Sequence, residues 1–137
     1  MTNKTQITLP PGTYFVGDPC YYVRGQNWGA FCDALHSQEK ETGRSRQNIY
    51  DISLNPNSET PTRIIAMSTQ YGDGYYPGSC GNSYSVDSGL LAIIPADSKD
   101  IFDKYTGIAH KFSEPVTISR TKEGTLNFGK ISINTNL

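Results

Sequence analysis

Val116, Ile118, Leu126, Phe128, Ile131 and Ile133 recur at every second position through three short segments, PVTISRT, TLNFG and KISIN. The turn residues Lys122-Glu123-Gly124 separate the first two segments. A period of two places these apolar side chains on one side of a pleated strand and the intervening polar ones on the other. Segments of this kind hide their apolar side by lying next to one another against a second layer. The C-terminal stretch therefore predicts an antiparallel meander with one face packed and one face wet.

The same logic organises most of the chain. TQITLP alternates and ends at Pro10-Pro11-Gly12, and TYFVGD follows as a strand. IYDISL, SYSVDS and GLLAIIP read as further strands, the last ended by Pro95. RIIAMS differs: Ile64 and Ala66 take one side and Ile65 and Met67 the other. A strand apolar on both sides belongs in the middle of a sheet. EKETGRSRQN and NPNSETPT are charged or rich in Pro, Asn and Ser, and read as loops.

NWGAFCDALHSQ changes the period. Trp28, Phe31, Cys32 and Leu35 stand at i, i+3, i+4 and i+7, one side of a helix over about 27–38. Asn27 can cap it. Trp28, Phe31 and Leu35 are expected to be largely buried, with Asp33, Gln38 and Glu39 off that side. ADSKDIFDKYTG reads as a short helix over about 97–105, capped by Asp97 and stopped by Gly107. The predicted fold class is α+β: a single domain, 1–137, with a largely antiparallel twisted sheet, one amphipathic helix and one short one.

Charge and cysteine usage narrow the function. The net charge of −1 supplies no basic stripe for nucleic acid or an anionic membrane. No apolar run reaches transmembrane length and the start of the chain carries no signal-peptide pattern, so a cytosolic location is expected. Three cysteines, an odd number, read as thiols and not as a disulfide framework. Two histidines and no Cys-x-x-Cys make a zinc site improbable. No catalytic residue, metal ligand or cofactor is assigned.

Three glycine–aspartate clusters, VGDPCY, YGDGYYPGSCG and VDSG, lie at strand ends and carry Asp18, Asp73 and Asp87. Three convergent carboxylates can hold Mg²⁺ or Ca²⁺. Asp-Pro, Asp-Gly and Asp-Ser-Gly are also ordinary turn chemistry, which is the preferred reading. Cys20, just after the break, is read first as a small buried hydrophobe and second as a nucleophile. Cys80, in a Gly/Ser segment, is expected to be the more exposed and reactive thiol. Asp18 and Asp87 are expected at the same end of neighbouring strands, with Asp18 accepting N–H bonds from the other turn.

The segment from Tyr71 to Tyr84 holds four glycines and several tyrosines. It reads as a long loop, and loops on a rigid sheet often bind ligands. The expected binding set is Trp28, Tyr71, Asp73, Tyr75, Tyr76, Ser79 and Asn82, with Asp18, Cys20 and Asp87 as structural or site-forming turns.

LPPGTYFVGDPCYYV, the helix with Trp28, Phe31 and Leu35, YGDGYY, YSVDSGLLAIIP and GTLNFGKISINT together resemble a family of small bacteriophage proteins with relatives in bacteria. The resemblance covers nearly the whole chain in order and brings no established catalytic residue with it. It implies a phage-borne protein acting in the host bacterial cytoplasm. The expected function is capture of a host ligand, a nucleotide-like small molecule or a protein, that blunts a host system. The alternatives are a virion-associated or protein-interaction structural protein, and a metal- or cysteine-dependent hydrolase.

Overall fold

The computed structural model describes residues 5–23, 25–55, 59, 61–98 and 109–136. Its strands are β1 (Gln6–Leu9), β2 (Gly12–Gly17), β3 (Ile49–Leu54), β4 (Thr62–Ser68), β5 (Gly74–Pro77), β6 (Ser83–Val86), β7 (Leu90–Pro95), β8 (Ala109–Phe112), β9 (Val116–Arg120), β10 (Thr125–Phe128) and β11 (Ile131–Asn134). One helix, α1 (Gln26–Thr42), lies between β2 and β3. All strand pairs are antiparallel, and the fold is α+β as expected.

The meander β9-β10-β11 forms, and β1 joins it on the outside of β9 to make a four-stranded sheet. Cross-strand partners on its inner side are apolar: Ile7 opposes Ile118, Leu9 opposes Val116, and Phe128 opposes both Ile118 and Ile131. A second sheet has five strands in the order β3-β4-β7-β2-β8. As its composition required, β4 is internal. Ile65 and Met67 join Val16, Leu91 and Ile93 in the core shared with the four-stranded sheet. Ile64 and Ala66 join Tyr50, Ile52, Ala92 and Ile94 in a second core under α1. The molecule is therefore a three-layer stack of sheet, sheet and helix. No helix among the described residues is long and apolar enough to cross a membrane.

The structure departs from the sequence reading in four places. Residues 109–112, unassigned from sequence, form the edge strand β8 beside β2. Within 71–84, expected as a loop, residues 74–77 form β5, which pairs with the expected strand over SYSV (β6) as a hairpin. The helix runs on to Thr42, where Gly43 ends it at φ 87°. Its cap is Gly25, with Asn27 already inside the first turn. Glu39, Lys40 and Glu41 are adequate helix formers, and the last turns are anchored on β3. Gln38 Nε2 donates to the Asp51 carbonyl at 2.6 Å, and the Tyr50 hydroxyl donates to Glu39 at 3.1 Å. The short helix expected over 97–105 lies, from residue 99 onward, outside the described residues.

Candidate ligand site

The segment YFVGDPCYYV turns the chain from β2 into α1, and each of its odd residues has a local cause. Gly17 makes room: a Cβ there would stand 2.5 Å from the Tyr22 hydroxyl and 2.9 Å from its ring. Tyr22 is held in that place by donating to the Val16 carbonyl. Asp18 is extended, at φ −68° and ψ 122°, the conformation a residue before proline prefers. Pro19 opens a 3-10 turn, Pro19–Tyr21, where its missing N–H costs nothing. Asp18 caps that turn, its Oδ1 accepting from Cys20 N at 2.9 Å.

The same carboxylate reaches across to the corner after β6. Oδ2 accepts from Asp87 N at 2.7 Å and Ser88 N at 2.8 Å, and Oδ1 accepts from Ser88 Oγ at 2.6 Å. The tie expected between VGDPCY and VDSG is present. Asp18 is 1% exposed, so its charge is carried by four donors that substitute for water. A second suture runs beside it: the Tyr21 hydroxyl donates to the Asp87 carboxylate. That hydrogen bond, with burial, pushes the Tyr21 phenol up to about 12. The third cluster also comes near, since a Cβ on Gly89 would lie 3.9 Å from Asp73 Oδ1. Asp73 itself is exposed, and Asp18 is fully engaged with N–H and O–H donors.

This corner forms one wall of a cavity of about 390 Å³ between α1 and the end of β4 and β7. Trp28, Phe31, Leu35, Tyr50 and Leu90 make its apolar lining, Ser68, Ser88 and Gly89 its wall, and His36, Glu39, Arg44 and Arg46 its rim. Trp28 and Phe31 stack with ring centres 5.3 Å apart and planes 16° from parallel. The cavity accounts for a further correction. Phe31 is fully buried and Asp33 is exposed, as expected, but Trp28, Cys32 and Leu35 are only half-buried because their side of α1 borders open space. Glu39 extends the same stripe, seven residues after Cys32, instead of falling off it.

The rim is built from the last turns of α1 and the segment that follows it. Glu39 accepts from Tyr50, contacts His36 Nδ1 at 3.0 Å and pairs with Arg44 at 3.4 Å. Burial works against its charge, but these three neighbours together hold its carboxyl below the usual range. Arg120, half-buried, fixes the backbone that carries Arg46. Its Nη1 donates to the Ser68 carbonyl at 2.6 Å and to the Arg46 carbonyl, and its Nη2 to Gln70 Oε1 at 3.1 Å.

The binding set expected from sequence is not brought together. Trp28 lines this cavity, and Tyr71, Asp73, Tyr75, Tyr76, Ser79 and Asn82 do not. Tyr76 is fully buried between the sheets, its hydroxyl donating to the Gly72 carbonyl at 2.6 Å. Ser79 is stitched to β11: its Oγ accepts from Ser132 N and its N–H donates to the Ser132 carbonyl, both at 2.9 Å. The Asn82 carbonyl accepts from Gly78 N at 2.7 Å. The hairpin glycines serve close packing as well, since a Cβ on Gly78 would lie 2.7 Å from the Tyr84 ring. Tyr71 and Tyr75 are exposed, and Tyr75 borders a separate cleft of about 110 Å³ beside Asp18 and Tyr21.

Among the thiols, Cys20 is half-buried next to its capped turn. Cys32 lines the large cavity, and burial together with Asp33 pushes its thiol up. Cys80 is exposed; burial opposes ionisation, but contacts with the Tyr84 hydroxyl and with Asn82 hold it below the ordinary thiol value. None of the three is in a disulfide. The polar site residues Glu39, Arg44, Ser45, Arg46, Ser68 and Ser88 were missed by the sequence reading; only the continued helical period to Glu39 signalled any of them. No family model, curated protein or solved structure matches the chain, so its function has to be read from the geometry of this corner and this cavity.

Proposed function

We propose that the chain is a small-molecule capture protein whose site is the cavity between α1 and the end of the five-stranded sheet. The observation that carries this reading is the lining. A half-open space of about 390 Å³ has an aromatic interior, hydroxyl walls and two arginines on one rim. Small-ligand sites are typically concave, mostly apolar and furnished with a few placed polar groups, in the range of roughly 300–1,000 Å³. Capture is favoured over catalysis because Asp18 is fully engaged in holding two turns together, and because burial and Asp33 push the Cys32 thiol up, away from the thiolate a nucleophile needs. The phage setting belongs to the same proposal: a protein of the bacterial cytoplasm that withdraws a host metabolite.

One observation favours a second reading. Tyr71 and Tyr75 are the large hydrophobic residues exposed among those described, at 62% and 65%, and both belong to the hairpin segment. That surface suits a protein partner. Thermal denaturation with a panel of bacterial metabolites separates the two. Small-molecule capture predicts a stabilising shift that is lost in Ser68→Phe, which fills the cavity, and kept in a Tyr71→Ala/Tyr75→Ala variant. A shift kept in Ser68→Phe would rule out the cavity, and no shift with any metabolite, together with a bacterial protein that co-purifies with wild type and not with the tyrosine variant, would favour the partner reading.

A further inference from the structure

Resting on that reading of the cavity, we propose that its ligand is a mononucleotide, with the base stacked on Trp28 and the phosphate held by Arg44 and Arg46. Five observations converge on this class. Phe31 stacks near-parallel on the Trp28 indole, and both rings line the cavity, so a planar ligand that enters it meets an aromatic wall. Aromatic side chains recognise bases this way because every base offers a π-face. The rim carries two guanidinium groups in a chain whose net charge is −1, so the cationic edge is local and not a general property of the surface. Arg44 is 80% exposed and touches Glu39 at 3.4 Å, a loose pair that a phosphate can displace. Arg46 makes no ion pair among the described residues, and Arg120 fixes its backbone. The hydroxyls of Ser45 and Ser68 supply groups for a ribose or a base edge.

The arrangement assigns opposite roles to two neighbours on the rim. Arg44 changes partner from Glu39 to the incoming phosphate, and Glu39, left beside an anion, opposes binding. Glu39→Gln therefore tightens binding while Arg44→Ala weakens it, a sign reversal that a neutral ligand would not produce.

Trp28 is the only tryptophan in the chain, so its fluorescence reports occupancy directly. The titrants are AMP, GMP, CMP and UMP, with the matching nucleosides and inorganic phosphate. The expected result is saturable quenching by at least one mononucleotide, about tenfold or more tighter than by its nucleoside or by phosphate alone. An Arg44→Ala/Arg46→Ala variant should bind about tenfold more weakly, Glu39→Gln several-fold more tightly, and wild-type affinity should fall as salt is raised. A nucleoside that binds as tightly as its nucleotide, or unchanged affinity in the arginine variant, overturns the mononucleotide assignment. So does the absence of quenching by all four nucleotides at millimolar concentration. In each of those cases the metabolite-panel shift and its loss in Ser68→Phe still decide separately whether the cavity binds a small molecule.

Discussion

Replacing Asp18 by alanine removes the acceptor for four donors at once: the N–H groups of Cys20, Asp87 and Ser88, and the Ser88 hydroxyl. A hydrogen bond to a charged group contributes about 1.5–3 kcal/mol, and a buried donor left unpaired costs about 1–3 kcal/mol. Simple addition would overstate the loss, because the four share one acceptor and the corner at Asp87 is exposed enough to admit water. Removing the carboxylate also relieves its own desolvation. The four donors are neutral, so the variant leaves no buried charge behind, and the expected loss for Asp18→Ala is about 2–4 kcal/mol, that of one or two buried donors left unpaired. Asp18→Asn keeps the shape. Its one carbonyl oxygen can still accept from Asp87 and Ser88 N–H, and the Ser88 hydroxyl can turn to accept, but its amide NH₂ faces the Cys20 N–H. The expected loss is about 1–3 kcal/mol. Urea unfolding at neutral pH measures both, and an unchanged m-value shows that the two states are otherwise comparable. A loss under about 1 kcal/mol for Asp18→Ala would refute the reasoning, because the two corners would then hold together without their shared acceptor.

Three further outcomes follow from the geometry. Phe31→Ala should cost about 3–5 kcal/mol in urea unfolding, whereas Leu35→Ala, beside the open cavity, should cost under about 2 kcal/mol; equal costs would mean that α1 is sealed on the sheet. The Glu39 carboxyl lies below its ordinary value when folded, so its contribution is present above the unfolded value near 4.5 and is lost as pH falls through the lower folded one. The stability gap between wild type and Glu39→Gln should therefore narrow below that pH, and a gap constant down to strongly acidic pH would show that the pairing is not favourable. The Tyr21 phenol, raised from 10.0 to about 12, contributes stability that is present below pH 10 and falls as pH climbs through the folded value. Burial raises the phenols of Tyr14, Tyr50 and Tyr84 too, so phenolate absorbance should show a late-titrating group of tyrosines that loses one member in Tyr21→Phe, and an unchanged alkaline profile in that variant would remove the Tyr21–Asp87 contact.

The layers of the fold were legible where period alone decides them. Val116 to Ile133 could only be a one-sided meander, and Ile64 to Met67, apolar on both sides, could only be internal. The Asp18 tie was legible because Asp-Pro and Asp-Ser-Gly each leave backbone donors for a carboxylate to collect. The cavity was not. Trp28, Cys32 and Leu35 have the spacing of a sealed helix face, and nothing in their identity tells that β4 and β7 end too soon to cover them. The hairpin misled for the opposite reason. Gly74 and Gly78 suggest flexibility in sequence, yet they are small so that the Tyr76 and Tyr84 rings can lie over them. Arg44 and Arg46 stood in a segment that looked like a plain charged loop, and their relation to Trp28 depends on Arg120, distant in sequence.

Native mass spectrometry of the chain purified from a bacterial host decides whether the cavity captures a small molecule, because it reads bound ligand and partner in one spectrum. One small-molecule adduct per chain is expected in wild type, retained in Tyr71→Ala/Tyr75→Ala and absent from Ser68→Phe. An adduct that survives in Ser68→Phe, or a wild-type chain that carries a protein and no small molecule, would contradict capture in the cavity.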